Sequence, residues 1–470
     1  VLETRPPTGD SADTARGVAT ARGTDDPAGL RHRLIAIGVP LVLWVVVSVA
    51  GWFRLTAQVR NTVWAEDGKV FLEEQFDMGV LGALFHDYAG YLHVVPRLLV
   101  AVASHAAPID RFAVTVSVLC VLVTGAVGAA VYVLTAGVLD SVVARVLLAF
   151  VPALVPLGPM EIQANVANLH WFLMFLVPFA LLTPVRSWTK GILLGVATLL
   201  AGLTEIQVVA FFPLFLLGIR NRHRWPVIAG TVVGGAAQVV TTLMHPRAPA
   251  SVPHDTVADM ALGYVVQPVA GSVTWSMPTV GRLIAEHGLG IVLVPFTVAL
   301  LVVLAGLWSG VARQRWVLAS MLWGSAVVWF GAVWFNPNEM LAFAHFDDEK
   351  WLGVWTFRYS AAASIYVIAA FAVVVDVALR RARTARSRGG RVVAAVAAAL
   401  VALAIVTTFV TNYQMDKANR QGGPFWDQQV DSSESACTRE PTGNATVEIA
   451  PGPQWATTVP CTLIDRNGSR

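Results

Sequence analysis

Residues 380–411 read RRARTARSRGGRVVAAVAAALVALAIVTTFVT. Twelve residues with six arginines and no acid run into twenty residues without one charge. At about 1.5 Å per residue a helix of that length spans ~30 Å, the thickness of a bilayer's hydrocarbon core. A backbone in hydrocarbon has no water to bond, so the run is a helix and not a strand. Its arginine-rich flank belongs on the cytoplasmic side.

Apolar runs recur outward from this one, at 34–53, 91–107, 112–136, 142–157, 169–183, 191–203, 206–219, 226–243, 290–311, 316–335 and 358–379. Hydrophobic residues make up 56% of the chain and charged ones 13%, against roughly 25% charged in a soluble domain. The expected class is an all-α polytopic membrane protein whose partner is the lipid bilayer. A net charge of +3, with no basic stripe interleaved with aromatics, does not imply nucleic acid as a partner.

The basic loops 186–190, 220–224, 313–315 and 380–391 are assigned to the cytoplasm, together with the N-terminus. The acidic or Pro/Trp-rich loops 54–90, 244–289 and 336–357, and the chain after Asn412, face outward. An inside start and an outside end need an odd number of crossings, so about eleven of the twelve runs cross. The run 91–107 holds His93, Pro96, Arg97 and His105 and reads as interfacial. Residues 191–219 lie between two basic loops and read as a short hairpin with Thr204, Glu205 and Gln207 at its tip. The hydrophilic start lacks a short apolar core with a cleavage site and is read as a tail, not a signal peptide. The organisation is thus 1–33, a disordered cytoplasmic tail; 34–411, the multi-pass domain; and 412–470, an extracytoplasmic tail.

Cys120 lies in an apolar run and reads as a small buried residue. Cys437 and Cys461 fall in the outward tail, an oxidising compartment. A β-like cap pinned by one disulfide between them, worth on the order of 3 kcal/mol, is the expectation. Two unpaired thiols are the alternative.

Polar residues that carry chemistry cluster in the outward loops. Trp64-Ala65-Glu66-Asp67-Gly68 holds adjacent carboxylates, one of which can face a cleft and act as a general base. Asp67 is expected in that role, with Trp64 anchoring the loop at the interface and Gly68 allowing a turn just after the acid. Glu66 then orients Asp67 or helps a cation, and the two roles are interchangeable at this level. Tyr88 to Arg97 follows with His93 and Arg97, and a second cluster holds Glu161, Gln163, Asn165, Asn168, His170 and Trp171. Glu205 is costly at membrane depth unless it lines a cavity. A third cluster runs from Asn336 through Asp347 and Asp348, a pair that is hydrated or binds a cation, to Arg358-Tyr359, where an arginine suits a phosphate. The plainer readings are a solvated acidic loop, a satisfied interfacial histidine and an arginine snorkelling to headgroups.

A cytoplasmic start, one span and an outward loop bearing Glu66-Asp67 resemble the layout of the GT-C glycosyltransferases. These multi-spanning enzymes take a sugar from a polyprenyl-phosphate carrier; protein O-mannosyltransferases and the lipid A aminoarabinose transferase are relatives. The resemblance extends to Tyr88–Arg97, similar to their His/Pro segment, and to Arg358-Tyr359, similar to their Arg-Tyr element, over residues 34–380. It implies a catalytic acid at Asp67 or Glu66 and leaves a divalent cation open there. It further implies substrate contacts among His93, Arg97, Arg358 and Tyr359, and a plasma-membrane transferase with a lipid-borne donor; Asn165, Asn168, His170 and Glu205 are candidate substrate contacts from their own polar clusters. The composition and small disulfide tail resemble an actinobacterial envelope protein. No motif assigns a glycan, lipid or protein acceptor. The rival classes are a transporter or flippase, which needs internal repeats, and a non-enzymatic envelope scaffold.

This topology is testable by thiol labelling from outside the cell, in a background lacking the native cysteines. Ser433→Cys is expected to react and Ser387→Cys to stay unlabelled. The reverse pattern places the acidic loop in the cytoplasm, with nucleotide sugars.

Overall fold

The computed structural model describes residues 27–247, 252–415, 418–452 and 454–464. The chain divides into Val1–Val39 and Pro40–Arg470. Of the first unit only the start of the helix Pro27–Phe53 is described, and it begins ahead of the apolar run, inside the stretch 1–33 expected to be disordered. All that follows concerns Pro40–Arg470.

The chain is 74% helical, with little sheet. Among the described residues seven helices are long and apolar enough to cross a membrane: Ile109–Thr135, Val142–Met160, Arg222–Met244, Gly290–Ser309, Ala312–Phe335, Arg358–Thr384 and Arg388–Thr411. Shorter apolar helices are Ile37–Phe53, Val94–Ala106, Leu169–Leu182, Trp188–Gly202, Ile206–Gly218 and Val257–Val269. The last of these lies in the loop 244–289, read from the sequence as facing outward. Its start is set by a capping box, in which Thr256 and Asp259 bond each other's backbone amides.

The Arg358–Thr384 helix is the central post. Nearly every residue from Ser360 to Val377 is buried, and alanines at 361–363, 369, 370 and 372 let neighbouring helices close on it. The Gly290–Ser309 helix is the opposite case: Val294 is 64%, Leu301 60% and Trp308 87% exposed. An apolar surface of that extent is unfavourable against water and ordinary against lipid tails. Helix pairing uses small residues. A Cβ on Gly202 would meet Gly234 Cα at 2.9 Å, so helices Trp188–Gly202 and Trp225–Met244 touch backbone to backbone.

The hairpin 191–219 differs from its expected form in one arm. Ile206–Gly218 is a 3-10 helix of 13 residues. At about 2.0 Å per residue it reaches ~26 Å, where an α-helix would reach ~20 Å. The tip is not at water either, since Thr204 is fully buried and Glu205 2% exposed.

The loop 54–90 is ordered structure. It holds a π-turn, Asp67–Leu72, running into the helix Glu73–Leu84, then a hairpin pairing Asp87–Tyr88 with Tyr91–Leu92. Gly90 closes that hairpin at φ 81°, and a Cβ there would meet His245 O at 2.9 Å.

The chain after Asn412 holds the expected disulfide-pinned β pair, packed on the rest of the fold. Its helix Trp426–Arg439 and strands Asn444–Glu448 and Ala456–Pro460 are joined by a Cys437–Cys461 disulfide with Cα atoms 5.0 Å apart. The unit docks on the loop 54–90: Ala450 N donates to Val63 O (3.0 Å), Trp426 N to Asn61 O (2.8 Å) and Thr457 Oγ1 to Gly68 O (2.9 Å). Two buried arginines complete the clamp. Arg54 donates to the carbonyls of Ala153, Val155, Pro156, Asn412 and Tyr413. Arg420 donates to those of Gln163 and Ala164.

Arg54→Met leaves the carbonyls of Pro156, Asn412 and Tyr413 without a donor among the described residues, while Ala153 O keeps Gln163 Nε2 and Val155 O keeps Gly158 N. At about 1 kcal/mol or more per orphaned group, it is expected to cost on the order of 3 kcal/mol or more. Arg54→Lys, with three donors, recovers part of this. Thermal unfolding in detergent measures both, and an unchanged midpoint for Arg54→Met rejects the clamp.

Candidate functional site

Arg358 is the first residue of the central helix. A cation there opposes the positive end of the helix dipole and needs acidic partners. It has two, from distant segments: Glu66 Oε1 at 3.4 Å and Glu161 Oε1 at 3.3 Å. Both reach the same nitrogen, Nη1; among the described residues no bond uses Nε or Nη2. The side chain is 36% exposed, so a ligand can approach those donors. Burial pushes the Glu161 carboxyl up, and the Arg358 guanidinium draws it back down.

Glu66 and Asp67 part company at the start of the π-turn. Glu66 faces Arg358. Asp67, 1% exposed, turns inward, where Oδ2 accepts Val166 N (3.0 Å) and Oδ1 accepts Ala167 N (2.9 Å). This corrects the expectation that Asp67 leans over a cavity as the base: both of its oxygens are used to hold the segment 161–168. The supports assigned to it change as well. Trp64 is buried and bridges Ala450 instead of lying at an interface. Gly68 provides no sharp turn; a Cβ there would strike Ile449 Cδ1 and Val63 Cγ1 at 2.9 Å.

Two more expected contacts are structural here. Asn165 Oδ1 accepts Asn168 N (3.0 Å) and Nδ2 (2.9 Å), and Asn168 Oδ1 accepts Trp171 Nε1 (3.3 Å). Both asparagines are thus taken up in the turn that starts the Leu169–Leu182 helix. Arg97 is likewise no free phosphate grip. Its buried guanidinium pairs with Glu74 at 2.6 Å and lies over Phe71, bracing helix Val94–Ala106 against Glu73–Leu84.

The remaining candidates converge. His170 Nδ1 is hydrogen-bonded to Glu205 Oε2, both side chains being buried. The His93 ring lies 4.1 Å from Tyr91 and 6.4 Å from His170. The Trp171 ring lies 4.1 Å from His170, tilted by 40°, and meets Tyr359 at 6.5 Å. Arg358 Cζ sits 5.7 Å from the Tyr359 ring. A continuous aromatic row therefore links the imidazole–carboxylate pair to the arginine–dicarboxylate cluster.

Four residues escaped the sequence reading: three at or beneath the site, and Asp376, far from it. Arg247 lies over Tyr91 at 5.3 Å and bonds Ala89 O and Asn336 Oδ1; an arginine beside a proline in an outward loop was the signal. Arg54 and Arg420 gave none. Asp376 was visible as the single acid of the 358–384 helix. It accepts Ser141 N and Gln314 Nε2, each at 2.6 Å, about 27 Å along the helix from Arg358 at 1.5 Å per residue. Asp347 and Asp348 are exposed, and Asp347 caps a short helix through Lys350 N (2.9 Å). Among the described residues no group of three or more His, Cys, Asp or Glu is placed to hold a metal ion; Glu66 and Glu161 share an arginine instead.

Comparison of the chain with family models, curated proteins and solved structures finds no match.

Burial raises the Asp67 carboxyl to about 7, outweighing the amide bonds from Ala167 and Val166 and the nearby Arg420 that lower it. An unfolded aspartate ionises near ~3.9. The native state therefore holds the proton to higher pH than the unfolded state, and the stability this contributes is full below about pH 4 and lost as pH rises to about 7. The unfolding midpoint of the wild type minus that of Asp67→Asn is expected to fall across this window and to be flat above it. A difference that grows with pH contradicts the assignment.

Proposed function

We propose that this protein is a membrane glycosyltransferase of the GT-C kind. It moves a sugar from a polyprenyl-phosphate donor to an envelope glycan, lipid or protein at the outer face of the plasma membrane. About eleven crossings, with the N-terminus inside and the tail from Asn412 outside, put the Arg358 cluster at that face. The observation that carries the reading is the meeting of Glu66, Glu161 and Arg358, three residues far apart in the chain; Glu66 lies in, and Arg358 directly after, loops that the charge pattern assigns to the outer face.

The chemistry follows from that meeting. Nucleotide sugars are cytoplasmic, so a transferase working outside needs a lipid-borne donor. Arg358 offers Nε and Nη2 as a planar fork for the donor phosphate, while Glu66 and Glu161 hold Nη1 and set the plane. The rings of Tyr91, Trp171 and Tyr359 supply flat apolar faces beside it, suited to the CH-rich face of a sugar. In the transfer the acceptor hydroxyl oxygen bonds the anomeric carbon and its proton passes to a base. The bond from that carbon to the phosphate oxygen breaks, with the electron pair leaving on the phosphate. A base opposite the leaving group gives inversion, by analogy with glycosidases.

The test is incubation of the purified protein with labelled polyprenyl-phosphate sugars. Arg358→Ala is expected to lower donor kcat/KM by roughly 10- to 10²-fold, the worth of a charge-assisted bond, and Arg358→Lys by less, because lysine keeps the charge without the fork. If the wild type consumes no donor, or neither change alters donor use, the transferase reading falls.

A further inference from the structure

Glu205 and His170 form a buried pair that the fold does not require as a pair. Glu205 caps the 3-10 helix Ile206–Gly218 through Oε1, which accepts Gln207 N at 2.8 Å. One carboxylate oxygen does that work. The other, Oε2, is turned to His170 Nδ1, on the second residue of a different helix. Taking a carboxylate and an imidazole out of water at this depth is costly, and packing alone is better served by apolar side chains of similar volume.

The pairing sets the imidazole's chemistry. A neutral histidine that donates from Nδ1 to a carboxylate carries its lone pair on Nε2, and the carboxylate stabilises the imidazolium formed when Nε2 takes a proton. Among the described residues Nε2 of His170 has no hydrogen-bond partner. The ring is held on one side by Trp171 at 4.1 Å and flanked by Tyr91 and His93, each at 6.4 Å. Two rings, Trp171 and Tyr359, separate it from Arg358.

We propose that His170, oriented by Glu205, is the base of the transfer, a role left open once Asp67 is committed to the Val166 and Ala167 amides. This rests on the transferase reading. The acceptor O–H gives its proton to His170 Nε2 while its oxygen bonds the anomeric carbon; the phosphate leaves with the electron pair of the broken bond. His170 then returns the proton to water. Glu205 touches no reacting atom and is a positioning residue.

The test uses the full-length protein in detergent or nanodiscs, with whichever labelled polyprenyl-phosphate sugar the wild type consumes. His170→Asn keeps a donor for Glu205 and lacks Nε2. It is expected to lower kcat by about 10²-fold or more, with donor KM and unfolding midpoint close to wild type. Glu205→Gln keeps the cap on Gln207 and lowers kcat with donor KM unchanged. The double variant is expected to be no slower than His170→Asn alone, because the two act as one unit. Near wild-type kcat for His170→Asn overturns the proposal while leaving the transferase reading intact. Independent, additive losses overturn the orienting role of Glu205. If His170→Asn fails to fold, Glu205→Gln decides: unchanged kcat overturns the pair. A wild type inert towards every donor overturns the transferase reading and the base assignment with it.

Discussion

Arg54 donates to five main-chain carbonyls drawn from two places far apart in the chain, 153–156 and 412–413. Carbonyls at helix ends have no intrahelical partner and must find one or lose free energy. One planar cation with five N–H groups satisfies a whole cluster of them at once. It ties the end of the Val142–Leu154 helix to the chain leaving Arg388–Thr411. Arg420 repeats the device on Gln163 and Ala164. The segment carrying Glu161 is thereby held between two arginines, and the position of that carboxylate beside Arg358 depends on it.

The same economy explains why neighbouring carboxylates have unlike roles. On a helical turn, consecutive side chains diverge by about 100°. Glu66 and Asp67 cannot both face Arg358. Asp67 takes the inner direction and binds the two amides that fix the 161–168 segment; Glu66 is left pointing at the arginine. The acid that holds the scaffold and the acid that meets Arg358 are adjacent in sequence and turned opposite ways. The tail reinforces this from the other side: Thr457 bonds Gly68 O at 2.9 Å and Thr458 N bonds Glu73 Oε1 at 2.6 Å.

In the apolar part of the molecule the constraint is backbone satisfaction without water. The chain meets it with helices throughout, including the 3-10 arm of the 191–219 hairpin, where a shorter stretch reaches further at the price of poorer bonds. Glycine and alanine seams allow helices to approach closely in a solvent that offers no hydrophobic drive for them to do so. The apolar residues left over face outward from the Gly290–Ser309 and Arg388–Thr411 helices.

The sequence alone determined what depends on local composition. Uncharged runs of bilayer length specify helices. Polar residues stand out against an apolar background, so most of the site was visible: Glu66, Glu161, His170, Glu205, Arg358 and Tyr359. The placement of Cys437 and Cys461 in one polar tail was legible for the same reason. What tertiary structure alone decided is who faces whom. Asp67 finds its partners 99 and 100 residues away, Arg358 reaches Glu66 across 292, and Thr457 reaches Gly68 across 389. The length, charge and hydropathy of a segment do not encode a direction relative to another segment, and a side chain's role is set by that direction. Hence Asp67, Arg97, Asn165 and Asn168 looked like site residues and are braces, while Arg54 and Arg420, lone arginines in polar loops, carried no local mark of the clamp they form.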